Sequence, residues 1–336
     1  AHIEEQDRKQ VNGAASTGRT GTTTEDSTRE SMAYSAFIAN RFDVGQVSIT
    51  PILRYENIDA ERTSNLPGGL PSSTRISETM PGIGVTWNPN KVLTVFSSMH
   101  KGFAPPRVED LISATNTATI VTDVDAEESS NFELGMRSQP LAGLLLQAAY
   151  FRSDFQNLIA AGSIAGGSTP LSQGEALFEG VELSAQADHA SGVSGRLAYT
   201  GLYTAKQTTA FRRVDTQDIV SGSAAGKRQP YAPKHTLTAS VGYGARAFRG
   251  EIEAQYVDEQ YSDFANTKAA SANGQIGLID AYTVWNASLN YQLQPKGITF
   301  FLTGKNLVDE TYIVDRTRGI QVGMPRLVQV GMRVAF

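Results

Sequence analysis

Arg326-Leu-Val-Gln-Val-Gly-Met-Arg-Val-Ala-Phe336 ends the sequence and decides how the rest is read. Val328, Val330, Met332, Val334 and Phe336 fall on one face of an extended segment. Gln329, Gly331, Arg333 and Ala335 fall on the other. Apolar and polar positions alternate with period two, the period of a β-strand. One face suits hydrocarbon, and the other carries an amide and a guanidinium.

The same alternation recurs upstream. Ile83, Val85 and Trp87 oppose Gly82, Gly84 and Thr86, and Phe132, Leu134 and Met136 oppose Glu133 and Arg137. Val181, Leu183 and Ala185 oppose Glu182, Ser184 and Gln186. Leu237, Ala239, Val241 and Tyr243 oppose Thr236, Thr238 and Ser240, and Ile252, Ala254 and Tyr256 oppose Glu251, Glu253 and Gln255. Looser copies lie at 47–56, 285–292 and 298–305. Segments near Tyr34, Leu93, Leu144 and Leu197 read as strands without a clear face. Thirteen strands therefore tile the chain from Tyr34 to Phe336, and residues 1–10 offer a partial fourteenth.

The connections alternate in length. Short ones at 42–45, 88–91, 139–143, 188–193, 244–250 and 294–297 are built from Asn, Asp, Gly and Pro, the residues of tight turns. Long ones fall near 11–30, 60–77, 104–127, 156–177, 205–232, 261–280 and 307–325. Tight turns at one end and long polar loops at the other predict an all-β, antiparallel transmembrane β-barrel. Aromatic residues near strand ends, Trp87, Phe103, Tyr203, Tyr231, Tyr243, Trp285 and Tyr291, suit interfacial girdles. Periodicity alone does not say which face is outside, so a soluble antiparallel barrel stays open at this point.

Composition narrows the function. The chain has 336 residues and a formal net charge of −5, the wrong sign for a nucleic-acid partner. It has no cysteine, which excludes disulfides, thiol nucleophiles and thiolate metal sites. No apolar run reaches the roughly 20 residues of a spanning helix. The first residues, Ala1-His2-Ile3-Glu4-Glu5, have neither a basic start nor an apolar stretch, so they read as a mature segment or an internal fragment and not a signal peptide.

Several stretches together resemble one family. They are Pro81-Gly-Ile-Gly-Val-Thr-Trp87, His100-Lys-Gly-Phe-Ala-Pro-Pro-Arg107, Glu128-Ser-Ser-Asn-Phe-Glu-Leu-Gly135, Tyr150-Phe-Arg-Ser-Asp-Phe155, Phe178-Glu-Gly-Val-Glu-Leu183, Pro233-Lys-His-Thr-Leu237 and Lys305-Asn-Leu-Val-Asp-Glu-Thr-Tyr312. Their order and spacing are similar to the C-terminal barrel of TonB-dependent outer-membrane receptors, from about Ser31 onward. The last motif, followed by a final strand ending in Phe, is the most specific. The Gly-Phe-Ala-Pro-Pro-Arg stretch leans toward receptors for ferric siderophores or ferric citrate.

The resemblance implies a 22-stranded barrel, of which 1–336 would be the last three-fifths. No plug-like stretch and no TonB box is found. It also implies the bacterial outer membrane, with lipid and lipopolysaccharide around the barrel. A ferric chelate would be the ligand, and the TonB complex would be reached through parts outside this chain. A complete passive channel of about fourteen strands stays open as an alternative, and an outer-membrane barrel enzyme as a remote one.

An anionic chelate calls for arginines and aromatics on the external loops. By the family orientation these loops hold Arg62, Arg75, Arg107, Arg212, Arg213, Lys227, Arg228, Arg316 and Arg318. Nearby aromatics are Phe103, Phe211, Tyr231, Tyr261, Phe264 and Tyr312. The candidate ligand residues are Arg107, His100, Phe103, Arg212, Arg213, Tyr231, Arg316 and Arg318. Arg107 leads, because two prolines stiffen its loop. For the loop cations the competing reading is a solvated charge or a partner of lipopolysaccharide phosphate, and for His100 it is a structural role.

No catalytic, cofactor or metal site is expected. Asp123, Asp125, Glu127 and Glu128 lack the glycine of a calcium loop. The four histidines lack paired spacing. Residues 222–228 read as a flexible loop, not a phosphate loop. No Gly-x-Ser-x-Gly elbow occurs.

Overall fold

The structure, a computed structural model, describes residues 2–12, 21–69, 71–105, 112–114, 119–121, 125–160, 172–214, 216–293, 297–317 and 319–334. Arg107, Asp123, Arg318 and Phe336 lie outside the described residues.

One antiparallel sheet of 16 strands dominates, and its main path takes fourteen long strands in sequence order. They are β1 (His2–Asn12), β2 (Thr22–Ala39), β3 (Val47–Ser64), β4 (Ser72–Asn90), β5 (Leu93–Ala104), β6 (Glu127–Leu141) and β7 (Leu144–Ala160). Then follow β8 (Ser172–Asp188), β9 (Val193–Gln207), β10 (His235–Ala245), β11 (Phe248–Val257), β12 (Tyr282–Leu293), β13 (Ile298–Lys305) and β14 (Leu327–Val334). Along this path every pairing is between chain neighbours, the up-and-down arrangement that the turn pattern predicts. The strand at residues 1–10 exists as β1, and the expected fourteen are present.

The register sorts the faces. Residues directly opposite one another in antiparallel strands share a face. Trp87, Val95, Met136, Ala148, Leu183, Tyr199, Leu237 and Tyr256 stand opposite one another across β4 to β11. This row settles the faces near Leu93, Leu144 and Leu197, which periodicity left undecided. On the other face Asp188, Ser194, Gly242, Glu251, Ser288, Thr303 and Gln329 form a row across β8 to β14. Side chains there bond to each other. Asn286 Nδ2 and Gln255 Nε2 both donate to Glu253 Oε1, at 3.0 and 2.9 Å. Arg196 lies 3.8 Å from Glu251.

Among the described residues the apolar face has no covering layer. Val330 is 78% exposed, Val241 61% and Ile252 47%. In water such a continuous band would be an aggregation surface. A soluble barrel would bury its apolar face inside, and this sheet does the opposite. Along β11, Phe248 and Tyr256 bracket Ile252 and Ala254 on the apolar face, eight residues or about 26 Å apart along the strand. That suits hydrocarbon flanked by aromatic girdles.

The short connections are as tight as their composition implies. Asn90 Oδ1 accepts the backbone N–H groups of Val92 and Leu93 at 2.9 and 3.0 Å and so closes the β4–β5 turn. Gly143 and Gly192 have φ of +81° and +92°. Their backbones press on the next turns, and an added Cβ would lie 2.1 Å from Asp188 O and 1.9 Å from Gly244 O. Only glycine fits there.

Several strands run farther than expected. β2, β3, β4 and β8 continue into stretches read as loops near 11–30, 60–77 and 156–177. In these extensions backbone pairing continues after the regular hydrophobic alternation has faded. Arg62 and Arg75 are therefore strand residues and not loop residues. Arg62 is 2% exposed and stands opposite Arg29, and Arg75 pairs with Asp59.

Candidate functional site

Three long connections at one end of the sheet, 208–234, 258–281 and 306–326, carry most of the cations that sequence reasoning singled out. They fold onto one another as a cap with a small apolar core. Phe211 is completely buried and stacks on Phe264 with ring centres 4.6 Å apart. Ala160, Val220 and Leu158 complete the cluster. Phe211 and Phe264 are thus packing residues and do not face a ligand. Burial of two such rings is what lets polar loops hold a fixed shape.

Polar groups lock the same region. Gln207 is fully buried. It donates to Phe264 O at 2.9 Å and accepts from Ser223 Oγ, which in turn accepts the Phe211 N–H at 2.8 Å. Arg228 donates to Ala232 O at 2.7 Å and Leu202 O at 2.8 Å. Arg228 and Asn266 also exchange backbone–amide bonds of 2.7 and 2.8 Å. Burial pushes the Arg228 guanidinium below its usual range, against the pull of Asp258 and Tyr261. The segment 222–228, expected to be flexible, is braced. Gly222 packs so closely that a Cβ would lie 2.2 Å from the Ala265 Cβ.

Tyr231 joins all three connections. Its N–H donates to Tyr261 O at 2.8 Å, and its hydroxyl accepts the Arg316 N–H at 3.1 Å. Burial pushes its phenol up to about 12, and the Asp315 carboxylate adds to this. Arg316 is 6% exposed and donates to Gly274 O at 3.1 Å. Tyr231 and Arg316 are therefore brought together inside the frame of the cap.

The other candidates sit apart. Arg212 is exposed and donates to Gln217 O at 2.9 Å. With Arg213 it forms a two-residue strand against Gln173 and Ser172 of β8. His100 is exposed near the end of β5, opposite Gly82 and Asn131, and Phe103 follows on the same strand. Among the described residues no acidic or histidine cluster could hold a metal. Glu128 instead pairs with Lys101 at 2.9 Å, and Glu127 accepts the Ile159 N–H at 3.1 Å.

The motif of residues 305–312 anchors the third connection. Asn306 is 1% exposed. It donates to Glu310 O at 2.8 Å and Met324 O at 3.0 Å, and accepts the Glu310 N–H at 2.8 Å. Asp309 accepts the Arg326 N–H at 2.9 Å. Tyr312 stacks on Tyr282 at 4.3 Å and covers Gly323, where a Cβ would lie 2.0 Å from its ring. Asn306, Asp309 and Tyr312 of this motif thus close the base of the loop. Gln207, the hub of the cap, carries no sequence signal that sets it apart from other strand-end glutamines.

Known proteins share this architecture. The profile of the TonB dependent receptor-like, beta-barrel family matches residues 5–307. The ferric citrate transporter FecA in its unliganded form is 20% identical with a TM-score of 0.77, over 98% of this chain and 49% of that one. The siderophore receptor PiuA from Acinetobacter baumannii is 19% identical with a TM-score of 0.72, over 93% and 44%. The ferric-catecholate import receptor Fiu from K12 E. coli, in its closed form, is 19% identical with a TM-score of 0.70, over 98% and 50%. The chain thus spans about half the length of the solved structures it matches. Proteins of this kind are outer-membrane barrels and act as receptors and transporters, not enzymes. By the extent of the profile match and the architecture together, this chain belongs to the TonB-dependent receptor β-barrel family.

Proposed function

We propose that this chain forms wall and outer mouth of a bacterial outer-membrane receptor that imports an anionic ferric chelate, a siderophore or ferric citrate, with energy delivered by the TonB complex. The observation that carries the reading is the sheet itself. One face is an exposed apolar band, the other is a hydrogen-bonded polar wall, and the long connections with their arginines gather at one end. The apolar band would meet lipid and lipopolysaccharide, and the polar wall would line the lumen.

In this reading Arg107, Arg212, Arg213 and Arg318 supply positive charge at the mouth, His100 faces it from the polar side of β5, and Phe103, on the face of Val95, contributes only at its outer rim. A basic funnel raises the local concentration of an anion, and a guanidinium binds a carboxylate through two parallel bonds. Tyr231 and Arg316 belong to the same site but act by holding the cap in shape. The named ligands of FecA, PiuA and Fiu support the choice of an iron chelate.

The test is a titration of ferric citrate and of a catecholate chelate on the intact folded receptor. Arg107→Ala combined with Arg212→Ala should weaken binding by more than about tenfold, or roughly 1.4 kcal/mol. Lysine at both positions should restore only part of it, because the planar fork is lost. Unchanged affinity for both chelates in the alanine pair would remove these arginines from the site. Steady conduction through planar bilayers without TonB would point to a passive channel instead.

A further inference from the structure

We infer that connections 208–234, 258–281 and 306–326 are a single rigid wall of the mouth, and that Tyr231 is the positioning residue that couples 306–326 to 208–234. The inference stands on the geometry of the cap and does not depend on the identity of the ligand.

The first two connections are joined many times over. Phe211 stacks on Phe264, Gln207 reaches Phe264 O, and Arg228 and Asn266 exchange two bonds. Lys227 Nζ adds a bond to Ala265 O at 3.0 Å. The third is attached differently. It is tied to 258–281 by the Arg316 bond to Gly274 O and by Ile320, whose Cγ1 lies where a Cβ on Gly274 would be 2.8 Å away. It is tied to 208–234 by the Tyr231 hydroxyl. Tyr231 also holds 258–281 through its N–H. One residue therefore touches all three segments.

Its backbone supports the assignment. Tyr231 has φ of +53°, the left-handed region that a bulky residue seldom adopts. Such a conformation persists only where the surroundings over-determine it. Here it lets one residue give its N–H to one neighbour while its ring reaches another. Arg212, Arg213 and Arg316 consequently ride on the same body. A ligand-driven movement of 306–326 must then carry 208–281 with it or break the Tyr231 contact.

The experiment uses the full-length receptor in detergent micelles and compares wild type with Tyr231→Phe, which keeps the ring and removes only the hydroxyl. Amide exchange across 313–322 should rise at least about tenfold, while the Val220 and Ser223 amides, bonded within 208–234, keep their protection. Spin-label distances give a second readout, made simple by the absence of cysteine in these 336 residues. The distance between Ile219→Cys and Gln321→Cys should broaden in Tyr231→Phe, and that between Ile219→Cys and Ala272→Cys should not. Phe211→Ala, which attacks the shared core, should loosen all three segments together. The inference is overturned if Tyr231→Phe leaves 313–322 unchanged, or if it speeds exchange equally throughout 208–281.

Discussion

Replacing Asn306 with alanine tests the account of the loop base most directly. Asn306 sits at φ +47° and makes three side-chain hydrogen bonds within 3.0 Å, to Glu310 O, to Met324 O and from the Glu310 N–H. At about 1 kcal/mol net for each bond, their loss costs about 3 kcal/mol. Alanine in the left-handed region adds about 1 kcal/mol, because it lacks the short polar side chain that makes asparagine tolerable there. The sum is about 4 kcal/mol, or roughly a thousandfold in the opening equilibrium of 306–326. Glycine removes the same three bonds without the backbone penalty, so Asn306→Gly should cost less than Asn306→Ala. Aspartate keeps the acceptor but sets a buried carboxylate oxygen against the Glu310 and Met324 carbonyls, and should cost more than glycine. Native-state amide exchange at Glu310 and at Gly323, whose N–H bonds to Tyr312 O at 2.8 Å, reports the opening. A loss of less than about tenfold in protection for the alanine variant would refute the reasoning. So would glycine proving worse than alanine, since the backbone term would then have the wrong sign.

Other outcomes follow from the same geometry. Val330→Arg, on the exposed apolar face of β14, should destabilise the receptor refolded into lipid vesicles by about 2–4 kcal/mol in denaturant titration, and Gln329→Arg on the opposite face should cost little; equal effects would mean that the faces are misassigned. Phe211→Ala should cost the cap about 3–5 kcal/mol and expose 208–234 to protease while the strands stay intact; a cap as resistant as wild type would sink the view that this ring is its core. Raising pH should loosen the cap through Tyr231. Its folded phenol titrates at about 12 against an ordinary 10, so the unfolded chain loses the proton first. The stabilising contribution is whole below pH 10 and is gone above about 12, so protection at 313–322, after correction for base-catalysed intrinsic exchange, should fall across that window in wild type but stay level in Tyr231→Phe.

The sheet was legible wherever hydrocarbon meets one face only. Leu237 to Tyr243 and Val328 to Val334 announce their faces because burial in lipid selects every second residue. The same logic fails at Thr22 to Glu30 and Ser73 to Thr79. These residues lie in strands beyond the apolar band, where no hydrocarbon selects one face and polar residues such as Ser27 and Arg29 are themselves buried. Nothing in the pattern around Arg62 and Arg75 therefore distinguishes a strand from a loop. The cap was less legible for another reason. Phe211 and Phe264 are 53 positions apart in polar surroundings, and a lone aromatic in a loop looks the same whether it faces a ligand or a partner ring. Tyr231 and Arg316 could be named as important from residue type. Their contact across 85 positions belongs to the fold and to no local pattern.

The chain thus divides its stability between two mechanisms that scarcely share residues. The wall needs no packed interior: each strand satisfies its neighbours' backbone groups, and its apolar side chains rely on solvent outside the protein. The cap stands where water is the solvent, so it needs what the wall lacks, a dry cluster of rings and a network of buried amides. Gln207 is the point where one gives way to the other. It is the last residue of β9, paired with Ala176 in the sheet, and its side chain is already the centre of the cap network. Changes below it should alter insertion and leave the shape of the mouth alone, while changes above it should reshape the mouth on an intact barrel. That separation lets one strand framework carry mouths of different chemistry, which explains how an architecture can be shared at about 20% identity with receptors for different chelates.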